Sequence, residues 1–292
     1  MILGDMTANA LELKRASTQQ GGVIFASPHS GRNYCDEFLA QTTLTRAEIR
    51  SSEDAFVDQL FAEAPNLGAH LLQATMPRAY LDLNRAVTEL DPALIHGVRR
   101  LTTNPRVASG LGIIPRVVAN GRAIYSGKIT MAEAQYRIQT VWQPYHSQLQ
   151  SLMAENMAQV GRAVLIDCHS MPHEAIARSV RGGQTIPQIV IGDRFGASAS
   201  SGLVDHVESA FASAGFDVVR NVPFAGAHIA RHFGRPSRGH HVIQIEIDRS
   251  LYMDEETLTK HAGFDDLRAQ LRPVIAEIAN LGRLTTDQIA AE

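Results

Sequence analysis

Short apolar runs separated by helical stretches form the main pattern of this chain. The apolar runs predict strands, which cover residues 23–26, 70–74, 79–83, 164–167, 186–191, 217–220 and 241–248. Apolar residues at helical spacing predict helices that begin at Ser51 or Ser52, cover 130–160 with a kink at Pro144, and cover 197–214 and 264–281. Strands that alternate with helices are typical of an α/β fold, so we predict a mixed central sheet with helices on both faces.

Length and composition favour one domain. The chain has 292 residues, of which 45% are hydrophobic, and this is enough to bury a substantial core. No break in composition separates the polar residues considered below, so we predict a single domain over 1–292. The net charge of −3 gives no reason to expect nucleic acid or an anionic membrane as a partner, and we expect neither. The oligomeric state is left open.

Cysteine content and the length of apolar runs bear on the compartment. Cys35 and Cys168 are the only cysteines, which is too few for a disulfide framework. Residues 1–15 lack the apolar core of a signal peptide, and no run is long and apolar enough to cross a bilayer. We therefore expect a cytoplasmic protein.

The stretch 164–170, VLIDCHS, changes from apolar to polar at the carboxyl end of a predicted strand, where open α/β sheets place their ligands. Side chains alternate along a strand, so Asp167 and His169 are expected to point the same way. A carboxylate beside an imidazole fixes the orientation of the ring and suits a metal ligand. The alternative is that these residues only cap the following turn.

Further residues of metal-binding type occur earlier in the chain. His29 lies in the loop Ser-Pro-His-Ser-Gly at 27–31, whose glycine permits a positive φ, although it could also be a solvated loop histidine. Glu53, Asp54 and Asp58 cluster at the start of a predicted helix, where carboxylates also complement the helix dipole. Two imidazoles and one carboxylate would leave a zinc ion with an open fourth position for a water.

Two arginines flank the predicted strand 79–83. Arg78 precedes it, and Asn84 and Arg85 follow it. A guanidinium binds a carboxylate through a paired fork of donors, so these residues would suit a small anionic substrate. Ordinary surface arginines are the alternative.

Two long loops are candidates for pocket walls. Residues 91–128 are punctuated by proline and glycine and contain Arg116 and Tyr125, which we treat as weaker substrate-binding candidates. Residues 223–238 are predicted to form a second, glycine-bearing loop that contains His228.

Glu246 lies in the predicted strand 241–248, in which isoleucines alternate with polar residues. A carboxylate within a buried strand costs several kcal/mol unless it is paired or coordinated. Proximity to a metal would explain it. An edge strand with one solvated face is the alternative, but the density of isoleucine argues against it.

Several separated motifs together resemble the N-formylglutamate amidohydrolase family, in the expected order and over nearly the whole chain. The motifs are SPHSG at 27–31, SEDAFVD at 52–58, DLNR at 82–85, DCHS at 167–170, GDRFG at 192–196 and QIEIDRSLYMDE at 244–255. The resemblance implies the α/β sheet of zinc-carboxypeptidase-like hydrolases, one zinc ion and hydrolysis of an N-acyl amino acid.

The resemblance also implies roles for individual residues. His29 and His169 would be zinc ligands, and Glu246 would be the general base. The third ligand would be Asp54, with Glu53 as the alternative. The substrate carboxylates would be held by Arg78, Asn84 and Arg85, and Asp167 and Ser170 would be supporting residues next to the ligands.

The implied reaction is hydrolysis of N-formyl-L-glutamate to formate and L-glutamate, a step of histidine degradation. The alternatives are a related metallo-deacylase or carboxypeptidase acting on another N-acyl amino acid or peptide, and a non-catalytic carboxylate-binding protein. One departure bears on the acyl or side-chain preference, because Gly226-Ala227-His228 stands where many relatives have Gly-Gly followed by an aromatic residue.

Overall fold

The computed structural model describes residues 10–17, 21–99, 104–179 and 185–283. These residues form two compact units that interleave along the chain. The first unit contains Pro28–Ala55 and Gln73–Gln148, and the second contains Leu13–Ser27, Phe56–Leu72 and the described residues from Leu149 onward. A single domain over the whole chain stays a prediction.

Nine strands are present among the described residues. They are β1 (Leu11–Lys14), β2 (Val23–Ser27), β3 (His70–Ala74), β4 (Ala163–Met171), β5 (Ile189–Gly192), β6 (Val218–Arg220), β7 (His240–Asp248), β8 (Met253–Asp254) and β9 (Thr259–Lys260). Seven form one sheet in the order β1-β3-β2-β4-β7-β5-β6, and β8 pairs with β9. β2, β4 and β7 run parallel, whereas β5 runs antiparallel to β7. The predicted mixed sheet is confirmed.

Ten α-helices accompany the strands in the described ranges. They are α1 (Asp36–Leu39), α2 (Arg46–Ile49), α3 (Val57–Leu60), α4 (Pro105–Ala108), α5 (Met131–Arg137), α6 (Gln143–Val160), α7 (His173–Ala177), α8 (Ser201–Ser213), α9 (His228–Phe233) and α10 (Gly263–Ala279). Within this part of the chain, no helix has the length and apolar character needed to cross a bilayer.

The core of the second unit is the sheet around β4 and β7. Both strands are nine residues long; every residue of β4 is buried, as is every residue of β7 after His240. The β-branched side chains Val164, Ile166, Ile243 and Ile245 suit this pleated, enclosed surface. Because the sheet is buried, polar side chains on it need partners.

The first unit is largely irregular between α2 and α5. In the predicted loop excursion 91–128, α4 is the one α-helix in the described residues, and Val117 pairs with Ala123 in a single antiparallel bridge. A π-helical turn, Ile138–Trp142, joins α5 to α6 directly before Pro144. Thus the helix predicted over 130–160 is interrupted at the expected place.

Three sequence predictions about elements are wrong. Residues 79–83 are not a strand, because their backbone groups bond to loop atoms, among them Asp82 N to Ile113 O at 2.8 Å. No helix begins at Ser51 or Ser52, since Glu53 is extended and Phe56 has a φ of 66°. The loop predicted over 223–238 contains α9.

Candidate active site

The residues after β2 bring His29 close to the chain around Met76 within the first unit. Asn33 N donates to Thr75 O at 2.9 Å. A Cβ on Gly31 would lie 2.1 Å from Met76 O, so no other residue fits. Gly31 is therefore required by close backbone approach and not by a positive φ, which corrects the sequence interpretation.

His29 is buried between two carboxylates. Its Nε2 lies 2.7 Å from Asp82 Oδ1, and its Nδ1 lies 3.3 Å from Asp54 Oδ2. Asp54 N also donates to His29 O at 3.1 Å. With Asp82 ionised, Nε2 carries the hydrogen, so Nδ1 keeps the lone pair that a metal would need.

Glu53 and Asp54 are adjacent but differ in their surroundings. The Glu53 carboxylate accepts from Tyr34 Oη at 2.6 Å and from the Arg50 guanidinium at 3.2 Å. Both of its oxygens are therefore engaged by donors. Asp54 is the acid that faces His29, so the geometry favours Asp54 over Glu53 as a ligand.

Asp82 is a site residue that the residue-by-residue sequence reasoning missed. It accepts from His29, from Asn84 N at 2.8 Å and from Arg78 Nε at 3.0 Å. Burial by itself would raise the pKa of the Asp82 carboxyl, but Arg78, His29 and Arg85 hold that pKa well below its usual range. The available signal was an acid within the run 79–83, AYLDL, which is otherwise apolar.

Arg85 is a buried cation with incomplete pairing. It is 4% exposed, and its Nε lies 3.8 Å from Asp82 Oδ2. That Nε donates no hydrogen bond within the part of the chain that the structure describes. Burial lowers the pKa of Arg85 from its ordinary value. A buried guanidinium in this state is suited to bind an added carboxylate.

Arg116 and Tyr125 have partners of their own in the first unit. Arg116 Nε lies 2.9 Å from Asp91 Oδ2. Tyr125 is buried, and its hydroxyl oxygen accepts from Arg137 Nη1 at 2.7 Å. These contacts give both residues a structural role, and their role in substrate binding stays a prediction.

Strand β4 of the second unit carries Asp167 and His169 on one side. His169 Nε2 lies 3.0 Å from Asp167 Oδ1, as the alternation of the strand predicts. His169 is in register with Glu246 on β7, so both side chains point to the same side of the sheet. Gln244 donates to Glu246 Oε1 at 2.9 Å. The structure therefore places an imidazole and a carboxylate in register on neighbouring strands.

Ser170 points to the opposite side of β4. Its hydroxyl accepts from Arg249 Nε at 3.2 Å, and its carbonyl accepts from Arg249 Nη2 at 3.4 Å. Ser170 thus holds Arg249 and is separated from His169 by the alternation of the strand.

The donor chemistry of these residues fits a metal ion. His29, Asp54 and His169 are all buried, and each carries a side chain of a type that binds metal ions. Each histidine turns its Nε2 to an aspartate, which leaves Nδ1 as the possible ligand atom. Nitrogen and carboxylate oxygen are ligands that zinc accepts.

Comparisons with known proteins agree with this chemistry. The family model for N-formylglutamate amidohydrolase matches residues 21–253. The chain is 29% identical to an N-formylglutamate deformylase of Pseudomonas aeruginosa over 264 residues, which are 88% of this chain and 90% of the relative. It is also 29% identical to an N-formylglutamate deformylase of Pseudomonas putida over 240 residues, covering 80% of this chain and 82% of that one.

A solved structure gives the same result. The chain is similar to the crystal structure of N-formylglutamate amidohydrolase from Ralstonia eutropha JMP134, with a TM-score of 0.88 and 33% identity. The match covers 94% of this chain and 99% of that chain. The resemblance predicted from the motifs is confirmed, and the chain belongs to the N-formylglutamate amidohydrolase family.

Proposed function

We propose that the protein is a zinc-dependent amidohydrolase that cleaves N-formyl-L-glutamate to formate and L-glutamate, a step of histidine degradation. This proposal rests on two similar contacts, His29–Asp82 and His169–Asp167. In each of them an aspartate carboxylate orients an imidazole ring. Membership of the family and the names of the two Pseudomonas relatives support the reaction.

In this proposal His29, Asp54 and His169 hold the metal ion. The two rings would bind through Nδ1, because their Nε2 atoms face Asp82 and Asp167. When bound, a zinc ion would supply an activated water and polarise the formyl carbonyl. Glu53 would remain outside the ligand set, because Arg50 and Tyr34 engage its carboxylate.

Glu246 is the proposed general base. Its carboxylate would take a proton from the attacking water while the oxygen of that water bonds to the formyl carbon. As the carbon–nitrogen bond breaks, Glu246 would return the proton to the leaving nitrogen, which gives the free amine. The hydrogen bond from Gln244 Nε2 fixes one oxygen of this carboxylate.

Arg85, Asn84 and Arg78 are proposed to bind the carboxylates of the substrate. Arg85 and Asn84 are buried, and the Nε of Arg85 donates no hydrogen bond to any residue that the structure describes. A carboxylate would supply two acceptors in the plane of the guanidinium. Arg116 and Tyr125 remain weaker candidates, because Asp91 and Arg137 already contact them.

An assay with a panel of N-acyl amino acids tests the proposal. We expect purified protein to release L-glutamate from N-formyl-L-glutamate faster than from N-acetyl-L-glutamate or from N-formyl-L-leucine. We also expect about one zinc per chain by elemental analysis, and loss of most of it in His169→Ala but not in the exposed control His96→Ala.

The other outcomes separate the alternatives. Faster turnover of another N-acyl amino acid or a peptide would overturn the substrate but not the amidohydrolase activity. Binding of L-glutamate without turnover and without stoichiometric metal would indicate a carboxylate-binding protein. Full zinc content in His169→Ala would overturn the ligand assignment.

A further inference from the structure

The segment Tyr80–Arg85, which carries Asp82, Asn84 and Arg85, has no regular secondary structure. A helix of the same unit donates to three of its carbonyl oxygens. Arg137 Nη1 donates to Tyr80 O at 3.1 Å, His146 Nε2 to Leu83 O at 2.8 Å, and Trp142 Nε1 to Arg85 O at 2.9 Å. Side chains from one helix therefore replace the hydrogen bonds that a strand would have had.

The spacing of the three donors depends on the π-helical turn. In a regular α-helix with 3.6 residues per turn, positions five apart such as 137 and 142 would point about 140° away from each other. In a π turn the backbone hydrogen bond joins residues five apart, as Gln143 N to Ile138 O does here. Positions five apart then lie on the same side, and this aligns Arg137 with Trp142.

Pro144 gives a physical reason for the turn. A proline in a helix lacks the N–H that would bond to the carbonyl four residues earlier, and its ring crowds that carbonyl. The carbonyl belongs to Thr140, in the middle of the π turn. Widening the helix there relieves the crowding and turns Trp142 toward Arg85.

The donors are themselves rigidly held. The indole of Trp142 stacks on the imidazole of His146, with ring centroids 3.8 Å apart and planes 17° apart. The guanidinium carbon of Arg137 lies 4.1 Å from the Tyr80 ring centroid, and Glu133 accepts from Arg137 Nε at 2.8 Å. Arg137 and His146 are buried. Such packing restricts the rotamers of all three donors.

We propose that Trp142, which the π turn aligns with Arg137, and His146, four residues further along the helix, are positioning residues for substrate binding. By fixing the carbonyls of Arg85 and Leu83, they hold the Asn84 and Arg85 side chains in the geometry that binds a carboxylate. This inference rests on the proposed function in one respect, that Asn84 and Arg85 bind a substrate carboxylate. The helix would thus act on the substrate through the backbone of the segment.

Trp142→Phe is the first test, because it keeps an aromatic ring for stacking and removes the N–H donor. We expect KM for N-formyl-L-glutamate to rise about three- to tenfold, the effect of losing one hydrogen bond, with kcat changed much less. The Kd of L-glutamate measured by calorimetry should rise by the same factor. Gln139→Ala, an exposed position in the same π turn, is the matched control and should change neither.

His146 offers a rescue experiment. His146→Leu removes the donor to Leu83 O, whereas His146→Gln keeps an N–H donor on a side chain of similar reach. We expect the KM of the Leu variant to rise more than that of the Gln variant. Thermal melts of all variants would show which of them are folded before the kinetic comparison is made.

A substrate analogue separates positioning from a general loss of structure. The α-carboxamide and the γ-carboxamide of N-formyl-L-glutamate each lack one of the two carboxylates. For the amide that lacks the carboxylate bound by Asn84 and Arg85, wild type and Trp142→Phe should have equal kcat/KM, because that group is no longer there to be aligned. An equal loss for the acid and for both amides would overturn the inference, as would an unchanged KM and Kd in a folded Trp142→Phe protein.

The outcomes also distinguish this inference from the proposed function. An inactive wild type that binds L-glutamate, with weaker binding in Trp142→Phe, would overturn the reaction and support the positioning role. Binding of L-glutamate by neither protein would overturn the role of Asn84 and Arg85 and the positioning inference together.

Discussion

The strands β4 and β7 and the segment Tyr80–Arg85 all carry candidate site residues, but they position these side chains by different means. On the strands, His169 and Glu246 share a side because parallel strands are in register and side chains alternate. On the segment, Asp82 and Arg85 are placed by bonds to side chains distant in sequence, such as His29 and Trp142. Local periodicity determines the first arrangement, and long-range contacts determine the second.

The difference predicts how each region responds to change. A substitution on a strand that preserves size should leave the neighbouring positions in place, because backbone ladder bonds hold them. A substitution in the segment should shift several groups together. Asp82, for example, accepts hydrogen bonds from the His29 ring, the Arg78 guanidinium and the backbone N–H of Asn84. The predictions below test this contrast, beginning with the largest effect.

Glu246→Gln should give a folded, zinc-containing and nearly inactive protein. The amide keeps the size of the side chain but cannot accept the proton of the water, a loss that typically costs ~10²–10⁴-fold in rate. We expect kcat to fall by this amount while KM changes much less, as measured in steady-state kinetics. The exposed acid variant Glu174→Gln should behave as wild type. Retained turnover together with lost zinc would make Glu246 a ligand.

Asp82→Asn and Asp167→Asn should each weaken zinc binding about 10- to 100-fold, since each aspartate orients one ring. Competition with a chelator measures the affinity, and the exposed Asp36→Asn is the control. Asp82→Asn should in addition raise KM, because Asp82 also holds Arg78. If Asp167→Asn raised KM equally, the contrast between strand and segment would be wrong.

His241 lies near the amino end of β7, the strand that carries Glu246, and its protonation should affect the stability of the protein. Burial, followed by the charges of Arg162 and His240, lowers the pKa of His241 from 6.5 to about 4. The unfolded chain therefore binds this proton more readily, and stability should fall as the pH falls from about 6.5 toward 4. Between pH 7 and pH 5 the loss should be about 2 kcal/mol.

Protonation would also remove the acceptor that His241 Nδ1 offers to Ser200 N. His241→Asn should lose this acid sensitivity in denaturant unfolding at the two pH values, whereas the half-exposed neighbour His240→Asn should keep it. If His241→Asn lost the same amount of stability between pH 7 and pH 5, another titratable group would be responsible for the effect.

Arg85→Lys should have the smallest effect of the series. It keeps the charge but loses the fork of donors, so KM for N-formyl-L-glutamate should rise about tenfold with a smaller change in kcat. Arg122→Lys, at a surface ion pair with Glu48, is the control. An unchanged KM would show that Arg85 serves only to pair with Asp82.

The sequence predicted the regular part of the site well. The buried strand with Glu246, the common side of Asp167 and His169, and the change from apolar to polar along β4 all follow from a period of two residues. This signal is local, since it depends only on neighbours along the chain. The helix of the first unit was also predicted, with a disturbance at Pro144.

The irregular part of the candidate site was predicted poorly, because its conformation depends on contacts that are distant in sequence. Residues 79–83 have the composition of a strand, yet bonds to Ile113 O, Arg137 and His146 hold them in another conformation. A short apolar run cannot reveal partners that lie 31, 57 and 63 residues away in the sequence. The role of Asp82 was missed for the same reason, since its ring partner is His29.

The sequence by itself determined the chemical types at the site and the side of each strand on which they lie, because both are written in the order of residues. Only the tertiary structure distinguishes the surroundings of Glu53 and Asp54, which stand side by side in the chain. Arg50 and Tyr34 occupy the carboxylate of the first, whereas the second faces His29. Which carboxylate meets which ring depends on the path of irregular backbone, and that path is determined by contacts distant in sequence.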